Sequence, residues 1–490
     1  MASDTTRGTG TELRKALRLR HLIMLSVGGV IASGFLLFAG SALQTAGPAT
    51  LISYLAGGVI TFAVMACLAE LAVAKPVAAS FATYARDSMG KLAGFLTGWN
   101  YWLAWVMGMA TESVAAGTYF HTFYSAIPIW IVAGLIIAIE LVINVIGVLF
   151  MGEYEFVLSS VKIFALLAFI VIGLAAILGV GFHPLGLHNW TAHGGFFPHG
   201  GGAVFAALLA VFFAYAGVEL VSVAAEESVK PERDVPRALM GTSAIVMLLF
   251  VVGLGVLIAI TPWTAAGTSS SPFVDALKAI HLPVLAAILN WIVIVASISS
   301  VDGGVYTASR MLFAMSREGH FPRFLSYVHP TRKTPIVAIV VTAACAFVGA
   351  VLAFFFPTTA YLFVAGLSSF GFLFAWGMIT LAQPLHRIRG GAAWVAKLRW
   401  KVPFYPVTPI VAFVFVVVAL IGQFFTGGSG TPLGPITIPG GGIVVVVGVI
   451  WTLIWIGYYY AFGRNLRHGE EWAARERELR AAHEAEQAGS

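Results

Sequence analysis

Apolar segments about as long as a bilayer is thick recur along the whole chain, and this feature limits its fold more than any other. A helix needs about 20 consecutive apolar residues to cross the hydrocarbon core of a membrane. Of the 490 residues, 59% are hydrophobic and only 10% are charged, whereas about a quarter are charged in an average soluble domain. Water cannot be the main solvent of such a chain, and we predict an all-α integral membrane protein.

The apolar runs between polar or Pro/Gly breaks predict twelve transmembrane helices. Their approximate bounds are 21–43, 49–74, 92–121, 127–150, 156–181, 203–227, 238–262, 283–313, 335–356, 360–383, 406–426 and 439–463. The first run is long and lacks a small-residue cleavage site, so we interpret it as a retained span and not as a signal peptide. An even number of spans places both chain ends on the same side of the membrane.

The basic residues are distributed very unevenly between the two sets of loops. Of the 28 Lys and Arg residues, 26 lie on the side of the termini, whereas Lys278 lies on the opposite side and Lys162 lies within a span. By the positive-inside rule, both termini are predicted to be cytoplasmic. The net charge of +6 therefore reflects topology and not an anionic partner, and we expect the lipid bilayer, but no nucleic acid, among the partners.

Two predicted spans contain residues that weaken a helix at mid-membrane depth. The first span contains GGVIASG at 28–34, and the sixth contains FFAYAGVEL at 212–220. Glycine in a transmembrane helix often marks only close helix packing. However, these two spans hold equivalent places in two successive five-helix halves, a pattern that points to a midplane site in an inverted-repeat transporter. Freed amides there can bind a carboxylate and freed carbonyls an ammonium group, and an amino acid presents both.

Further motifs occur in a fixed order along the chain. They are SALQTAGPA at 41–49, LAELAVAKPVAASFATYARDSMGKLAGFLTGWNYW at 68–102, GEYEF at 152–156, FAYAGVELVSVAAEESVKPERDVPRAL at 213–239, SPFVDAL at 271–277 and SSVDGGVYTASRMLFAMSREGHFPRFL at 299–325. With them the chain resembles the amino acid permeases of the amino acid, polyamine and organocation superfamily, specifically the bacterial amino acid transporter branch. The resemblance covers roughly residues 14 to 390.

This resemblance implies a LeuT-like fold with a 5+5 inverted repeat and broken helices 1 and 6. It also implies amino acid uptake coupled to protons. The predicted parts are a cytoplasmic N-terminal segment (1–20), a ten-helix transport core (21–390) with repeats at about 21–181 and 203–383, two peripheral transmembrane helices (406–463) and a charged cytoplasmic tail (464–490).

The substrate is predicted to bind at the two breaks. The predicted binding residues are Ala32, Ser33, Gly34, Phe213, Ala214 and Tyr215, with Gly28 and Gly29 as secondary candidates. The first three would offer amides to the carboxylate, the next two would offer carbonyls to the amino group, and Tyr215 would contact the side chain. The family usually has Gly-Thr-Gly in the first break and Phe-Gly-Gly in the second, so each break here has one glycine fewer. Because alanine favours helix over glycine by about 1 kcal/mol, shorter breaks or a narrower pocket are expected.

Three charged residues within the predicted spans are candidates for the mechanism. Lys162 either extends to the inner surface or, as the resemblance implies, replaces the cation of sodium-driven relatives and couples protons to substrate. Desolvation disfavours the charged form of a lysine and so makes proton release possible. Glu219 matches a family position and is assigned to substrate access or proton relay. Glu112 is either a structural hydrogen-bonding group near the outer interface or a functional carboxylate.

The eighth span contributes the secondary candidates Ser299, Ser300 and Asp302, in a stretch that usually reads Ser, small, small, Asn in the family. Asp302 thus introduces a carboxylate, for which the sequence leaves pairing with Lys162, pairing with Arg310 or contact with cytoplasmic water open. Glu140 and Asn144 form an i, i+4 pair on the fourth span. Asn144 follows the family, whereas Glu140 does not, and polar helix packing is its only predicted role.

No motif supports an enzyme, a metal site or a bound cofactor. The chain has no phosphate-binding loop ending in Lys-Ser/Thr and no nucleophile elbow, and its loop histidines lack metal-ligand spacing. We therefore predict a secondary active transporter that imports amino acids across the bacterial plasma (inner) membrane by proton symport. An exchanger of the same superfamily is the nearest alternative. A non-transporting amino acid sensor is less favoured, because sensors commonly carry long cytoplasmic extensions. The identity of the amino acid stays open.

Overall fold

The computed structural model describes residues 13, 15–75, 77, 79–181, 183–266, 271–356, 360–425, 431–433, 436–438 and 440–463. Most of the predicted N-terminal segment and all of the predicted tail, 464–490, lie outside these residues.

The described chain is helical almost throughout. The first predicted span is divided into α1 (Leu19–Val30), α2 (Ser33–Leu36) and α3 (Phe38–Ala46). The other helices are α4 (Thr50–Ala74), α5 (Ser80–Met89), α6 (Lys91–His121), α7 (Ile129–Ile146), α8 (Val148–Leu178), α9 (Gly201–Tyr215), α10 (Leu220–Val223), α11 (Pro231–Ile260), α12 (Pro272–Ala279), α13 (Pro283–Arg317), α14 (Ile336–Ala346), α15 (Val348–Phe355), α16 (Ala360–Lys397), α17 (Val407–Phe425) and α18 (Gly440–Tyr458). A short antiparallel pair, β1 (Thr431–Leu433) and β2 (Ile436–Ile438), lies between α17 and α18.

Nine segments within the described residues are long and apolar enough to cross a membrane. They are the segment from α2 to α4, then α7, α8, α11, α13, the pair α14 and α15, α16, α17 and α18. The interrupted helices α1 and α9 and the more polar helix α6 do not meet these criteria. The all-helical membrane fold is thus confirmed, whereas the count of twelve spans stays a prediction.

The helices next to the two breaks lie in the centre of the packing. Helix α1 packs against α8, α11 and α13, and α6 packs against α13 and α16. Large apolar side chains such as Phe164, Leu178 and Val284 are instead exposed on the outer surface. Because backbone polar groups in a bilayer must be satisfied internally, a helical bundle with an apolar exterior is the expected solution.

A buried ion pair fixes α4 to α16. Glu70 is fully buried and accepts two hydrogen bonds from the Arg387 guanidinium, one from Gln383 and one from the backbone N–H of Val402. A buried carboxylate is tolerated only when its oxygens are satisfied in this way. These bonds also anchor the segment that follows α16.

Candidate functional site

The first break lies between α1 and α2. Ile31 and Ala32 leave the helical conformation, with Ala32 extended at φ −148° and ψ −155°. Helix geometry resumes at Ser33, so the first amides of α2 lack partners within the helix. The break predicted from GGVIASG is therefore present, although alanine stands where the family usually has glycine.

The second break lies between α9 and α10. Helix α9 ends at Tyr215, Ala216 is extended, and Gly217 has φ +108°, a conformation that favours glycine. The chain becomes helical again at Leu220. Broken helices at both predicted positions are thus confirmed, and the last carbonyls of α9 face the break.

The two breaks contact each other backbone to backbone. A Cβ added at Gly217 would lie 3.0 Å from the carbonyl carbon and oxygen of Gly29. A Cβ added at Gly34 would lie 3.2 Å from the carbonyl oxygen of Phe213. Small residues permit this close approach, as is common where membrane helices meet. Amides from the first break and carbonyls from the second therefore lie side by side.

A cavity of about 330 Å³, including its opening, lies beside these breaks. Its lining residues are Gly29, Val30, Gly34, Trp105, Gly108, Glu112, Phe213, Ala216, Ser300, Ser368 and Phe372. This volume includes open space, and the enclosed part of the cavity is narrow. Backbone polar groups form one wall of the cavity and aromatic rings form the other.

Glu112 already occupies the amide that we predicted for a ligand carboxylate. The backbone N–H of Ser33 donates to Glu112 Oε2 at 3.1 Å, and the Ser33 hydroxyl donates to Oε1 at 2.8 Å. The Tyr361 hydroxyl donates to Ser33 Oγ at 3.1 Å. Glu112 lines the cavity and is buried, so it lies at the break and not in a peripheral position. The first break thus binds a carboxylate in this structure, and that carboxylate belongs to the protein.

Of the six predicted binding residues, only Gly34 and Phe213 line the cavity, whereas Ala32, Ser33, Ala214 and Tyr215 do not. The Tyr215 hydroxyl donates to the backbone oxygen of Tyr54 at 2.8 Å, and its ring packs against Phe250. Ala32 is buried but is not part of the lining. The ring of Phe213 lines the cavity instead and packs edge-on against Phe38. The direction of these side chains follows from where α9 ends, which the sequence pattern does not specify.

Sequence reasoning missed the aromatic wall of the cavity. Trp105 and Gly108 on α6 and Phe372 on α16 line it, and the Trp105 ring packs against Phe372 at a centroid distance of 5.4 Å. These residues lie in helices rich in aromatic and small side chains. No local signal distinguished them from ordinary packing residues.

Glu219 lies beside the second break, but it does not line the cavity. It is fully buried and accepts hydrogen bonds from the Tyr101 hydroxyl at 3.1 Å, from Trp376 Nε1 at 3.2 Å and from the backbone N–H of Gly217 at 3.1 Å. The carboxyl group therefore links α6 and α16 to the break. Its predicted role in access or proton relay stays a proposal.

Lys162 points into the protein. Its side chain is only 2% exposed, and Nζ donates to the backbone oxygen of Gly28 at 2.6 Å. Gly28 belongs to the last turn of α1, immediately before the first break. In this structure the lysine does not extend to the inner surface, which was one of the two interpretations of its sequence position.

The three predicted residues of the eighth span have different surroundings. Ser300 lines the cavity and Ser299 donates a hydrogen bond to Glu155. Asp302 accepts a hydrogen bond from Asn144 Nδ2 at 2.6 Å. Arg310, which the sequence allowed as its partner, is paired with Glu227. The hydrogen-bond partner of Asp302 is therefore a residue of α7.

Gly28→Ala is expected to disrupt this region strongly. A Cβ at Gly28 would lie 1.6 Å from Glu155 Oε1 and 2.5 Å from Ser159 Oγ, so the Glu155 carboxylate and the adjacent Lys162 ammonium must move. Overpacking of this kind typically costs about 1–3 kcal/mol. Thermal unfolding in detergent and transport by the reconstituted protein measure the effect. Gly202→Ala is the control, because a Cβ there has no neighbour within 4 Å, and equal behaviour of the two variants would contradict the expectation.

The arrangement of helices resembles that of a solved membrane protein. A crystal structure of the manganese transporter of Eremococcus coleocola, in complex with an aromatic bis-isothiourea substituted compound, matches this chain with a TM-score of 0.56. The match covers 95% of this chain and 99% of that one at 14% sequence identity, and it shows the fold alone. Together with helices broken at the first and sixth positions, it defines a membrane protein with a LeuT-like fold.

The sequence comparisons define the family. The family model described as amino acid permease matches residues 21–469. In Bacillus subtilis (strain 168), the uncharacterized amino acid permease YtnA is 34% identical over 472 residues, which cover 96% of this chain and 98% of YtnA. The amino-acid permease RocE is 35% identical (86% and 92% covered), and the gamma-aminobutyric acid permease is 32% identical (83% and 88% covered).

The chain belongs to the amino acid permease family. It is therefore a multi-pass membrane protein that transports amino acids, and not an enzyme.

Proposed function

We propose that the protein imports amino acids across the bacterial inner membrane by proton symport, with Lys162 as the coupling residue. The observation that carries this proposal is the bond from the buried Lys162 ammonium to the Gly28 carbonyl, at the last turn before the first break. A change in the charge of Lys162 acts directly on the backbone that forms the substrate cavity.

The substrate carboxylate binds at the N-terminal end of α2. The amides of Ser33 and Gly34 are free of helical partners there, and the positive end of a helix favours an anion. In this structure Glu112 accepts a hydrogen bond from the Ser33 amide. Because one amide cannot satisfy two carboxylates at once, the substrate displaces Glu112 from this amide as it binds.

The substrate amino group binds at the C-terminal end of α9. The last carbonyls of a helix lack partners and carry partial negative charge. The Phe213 carbonyl accepts only a long bond, 3.3 Å from the Ala216 amide, and it lies next to Gly34. The substrate side chain then faces Trp105 and Phe372, which favours an uncharged or partly apolar group.

The basic residues of the loops indicate how the protein is oriented in the membrane. Because 26 of the 28 Lys and Arg residues lie on the side of the termini, the positive-inside rule places both termini in the cytoplasm. Import then moves the substrate toward the cytoplasm, the side on which α1 begins.

Uptake by the purified protein in proteoliposomes tests this function. We expect a labelled amino acid to accumulate when the lumen is alkaline relative to the outside, and other amino acids to compete. N-acetylated and decarboxylated analogues should not compete, because each lacks one of the two groups that the breaks bind. An exchanger behaves differently: its uptake requires substrate loaded inside and does not respond to the pH gradient, and that result would overturn the symport proposal.

A further inference from the structure

Three carboxyl groups from three helices meet in the interior, beside Lys162. They belong to Glu140 on α7, Glu155 on α8 and Asp302 on α13, and each of these side chains is 0% exposed. None of them lines the substrate cavity. Charged groups away from water are costly unless they are paired and hydrogen-bonded, so this cluster needs a physical explanation.

Hydrogen bonds tie the three acidic residues together. Asn144 Nδ2 donates to Asp302 Oδ1 and to the backbone oxygen of Glu140, and Ser299, on the same helix as Asp302, donates to Glu155. Asp302 is thus a neighbour of both Glu140 and Glu155. Carboxylate oxygens are acceptors only, and a carboxyl group donates a hydrogen bond only when it is protonated. Neighbouring buried carboxyl groups are therefore stabilised when one of them carries a proton.

The remaining oxygens lead to the same conclusion. Among the residues that the structure describes, no donor reaches Glu140 Oε2, Glu155 Oε2 or Asp302 Oδ2. The available donors bind the other oxygens: the Tyr154 hydroxyl at Glu140, Ser159 and Ser299 at Glu155, and Asn144 at Asp302. Buried polar atoms are rarely left unsatisfied, and a hydrogen on the carboxyl groups supplies what is missing.

A neutral residue gives independent support. Asn144 is 1% exposed, and its Nδ2 donates to Asp302 Oδ1 at 2.6 Å, so its amide is directed at the cluster. Its own oxygen, Oδ1, is buried without a donor from the described part of the chain. This amide accepts no hydrogen bond unless an adjacent carboxyl group carries a proton.

The charge balance sets the number of protons. Lys162 is the cation that faces the acids, and Tyr154 is a titratable neighbour of Glu140. Glu112 is a further carboxylate near Lys162, but both its oxygens accept hydrogen bonds from Ser33, so it is not counted with the three acids. Three ionised carboxylates and one ammonium would leave two uncompensated negative charges in the interior. Two bound protons make this set of three acids and one lysine neutral.

We propose that Glu140, Asp302 and Glu155 form a proton-binding site that holds two protons and passes protons between Lys162 and the terminal side of the membrane. Lys162 and Glu155 both contact Gly28. At the other end, Tyr154 is partly exposed and follows Glu153, which is exposed and pairs with Arg20. The three carboxyl groups thus bridge the buried lysine and the edge of the protein.

Each transfer step conserves charge and atoms. The Lys162 ammonium gives one proton to the single ionised carboxylate and becomes a neutral amine, so the three acids then carry three protons. One proton leaves to water beside Tyr154, and the ionised carboxylate is restored. This route rests on the proposed function of Lys162, whereas the presence of two bound protons does not.

Infrared difference spectroscopy of the lipid-embedded protein, between neutral and alkaline pH, tests the bound protons. We expect a C=O stretching band of protonated carboxyl groups at neutral pH. The contribution of this site to the band should fall by about half in Asp302→Asn and in Glu140→Gln, because two acids beside one ammonium need one proton for neutrality and not two. Lys162→Met should increase the band, because loss of the cation requires a third proton. Glu153→Gln, an exposed acid on the same helix, is the control and should leave the band unchanged. A band that neither Asp302→Asn nor Glu140→Gln alters would overturn the proton site.

Transport separates this inference from the proposed function. We expect Asp302→Asn to lower pH-gradient-driven uptake by about tenfold or more, the contribution typical of a positioned proton-transfer group, while Glu153→Gln retains it. If Lys162→Met abolishes gradient-driven uptake but Asp302→Asn does not reduce it, the route is wrong and the proposed function stands. If Lys162→Met still accumulates substrate, the proposed function and the route both fail, and the infrared band alone decides on the proton site.

Discussion

Lys162→Met is expected to abolish accumulation of amino acid against a gradient when a pH difference is the only driving force. Methionine has a similar length and fills the same space, but it carries no proton and donates no hydrogen bond to the Gly28 carbonyl. Proton binding then no longer biases the geometry of the first break. The loss should exceed about 100-fold, because the proposed coupling requires Lys162 to bind and release the proton beside the first break. Initial uptake rates in proteoliposomes, with and without the pH gradient, measure it.

A lysine remote from the site provides the matched control. Lys278 on α12 is 59% exposed and pairs with Asp275, so Lys278→Met removes the same charge from solvent and should leave uptake unchanged. Membrane insertion and the elution profile in detergent should be the same for both variants. Undiminished gradient-driven accumulation by Lys162→Met would remove Lys162 from the mechanism.

The fold was largely predictable because a bilayer imposes simple rules. The lengths of the apolar segments indicated the helices, and the distribution of basic residues indicated their orientation. Helix-weakening residues at 28–34 and 212–220 predicted both breaks. The breaks form even though alanine replaces a family glycine in each. At Ala32 the extended conformation is open to any residue, and the left-handed conformation falls on Gly217, the glycine that is retained.

The details of the site were less predictable, because they depend on how helices rotate and pack. Phe213 and Tyr215 are two residues apart, yet only Phe213 lines the cavity. Trp105 and Phe372 meet across two helices that are far apart in sequence. Asp302 and Asn144 are separated by 158 positions, and a single sequence contains no information on such a contact. Charged residues within the spans indicated the regions of functional interest, but the sequence did not reveal which residues contact them.

The break between α9 and α10 can be tested through its one residue with a positive φ. Gly217 has φ +108°, and an added Cβ would lie 3.0 Å from the carbonyl carbon and oxygen of Gly29. Gly217→Ala therefore faces both an unfavourable backbone conformation, which costs about 1–3 kcal/mol, and a clash with backbone that cannot rotate away. We expect the variant to straighten the break or to separate it from α1, and either change withdraws the carbonyls that bind the substrate amino group.

Transport by Gly217→Ala should consequently fall by about tenfold or more, since about 1.4 kcal/mol corresponds to a factor of ten. Binding of substrate should weaken in parallel, because the cavity itself is altered. Gly241→Ala on α11 is the matched control: a Cβ there has no neighbour within 4 Å, and alanine favours a helix by about 1 kcal/mol. It should transport normally with equal or higher thermal stability. If Gly217→Ala transports as well as Gly241→Ala, the close contact between the two breaks is not needed for function, and the substrate site must be placed elsewhere.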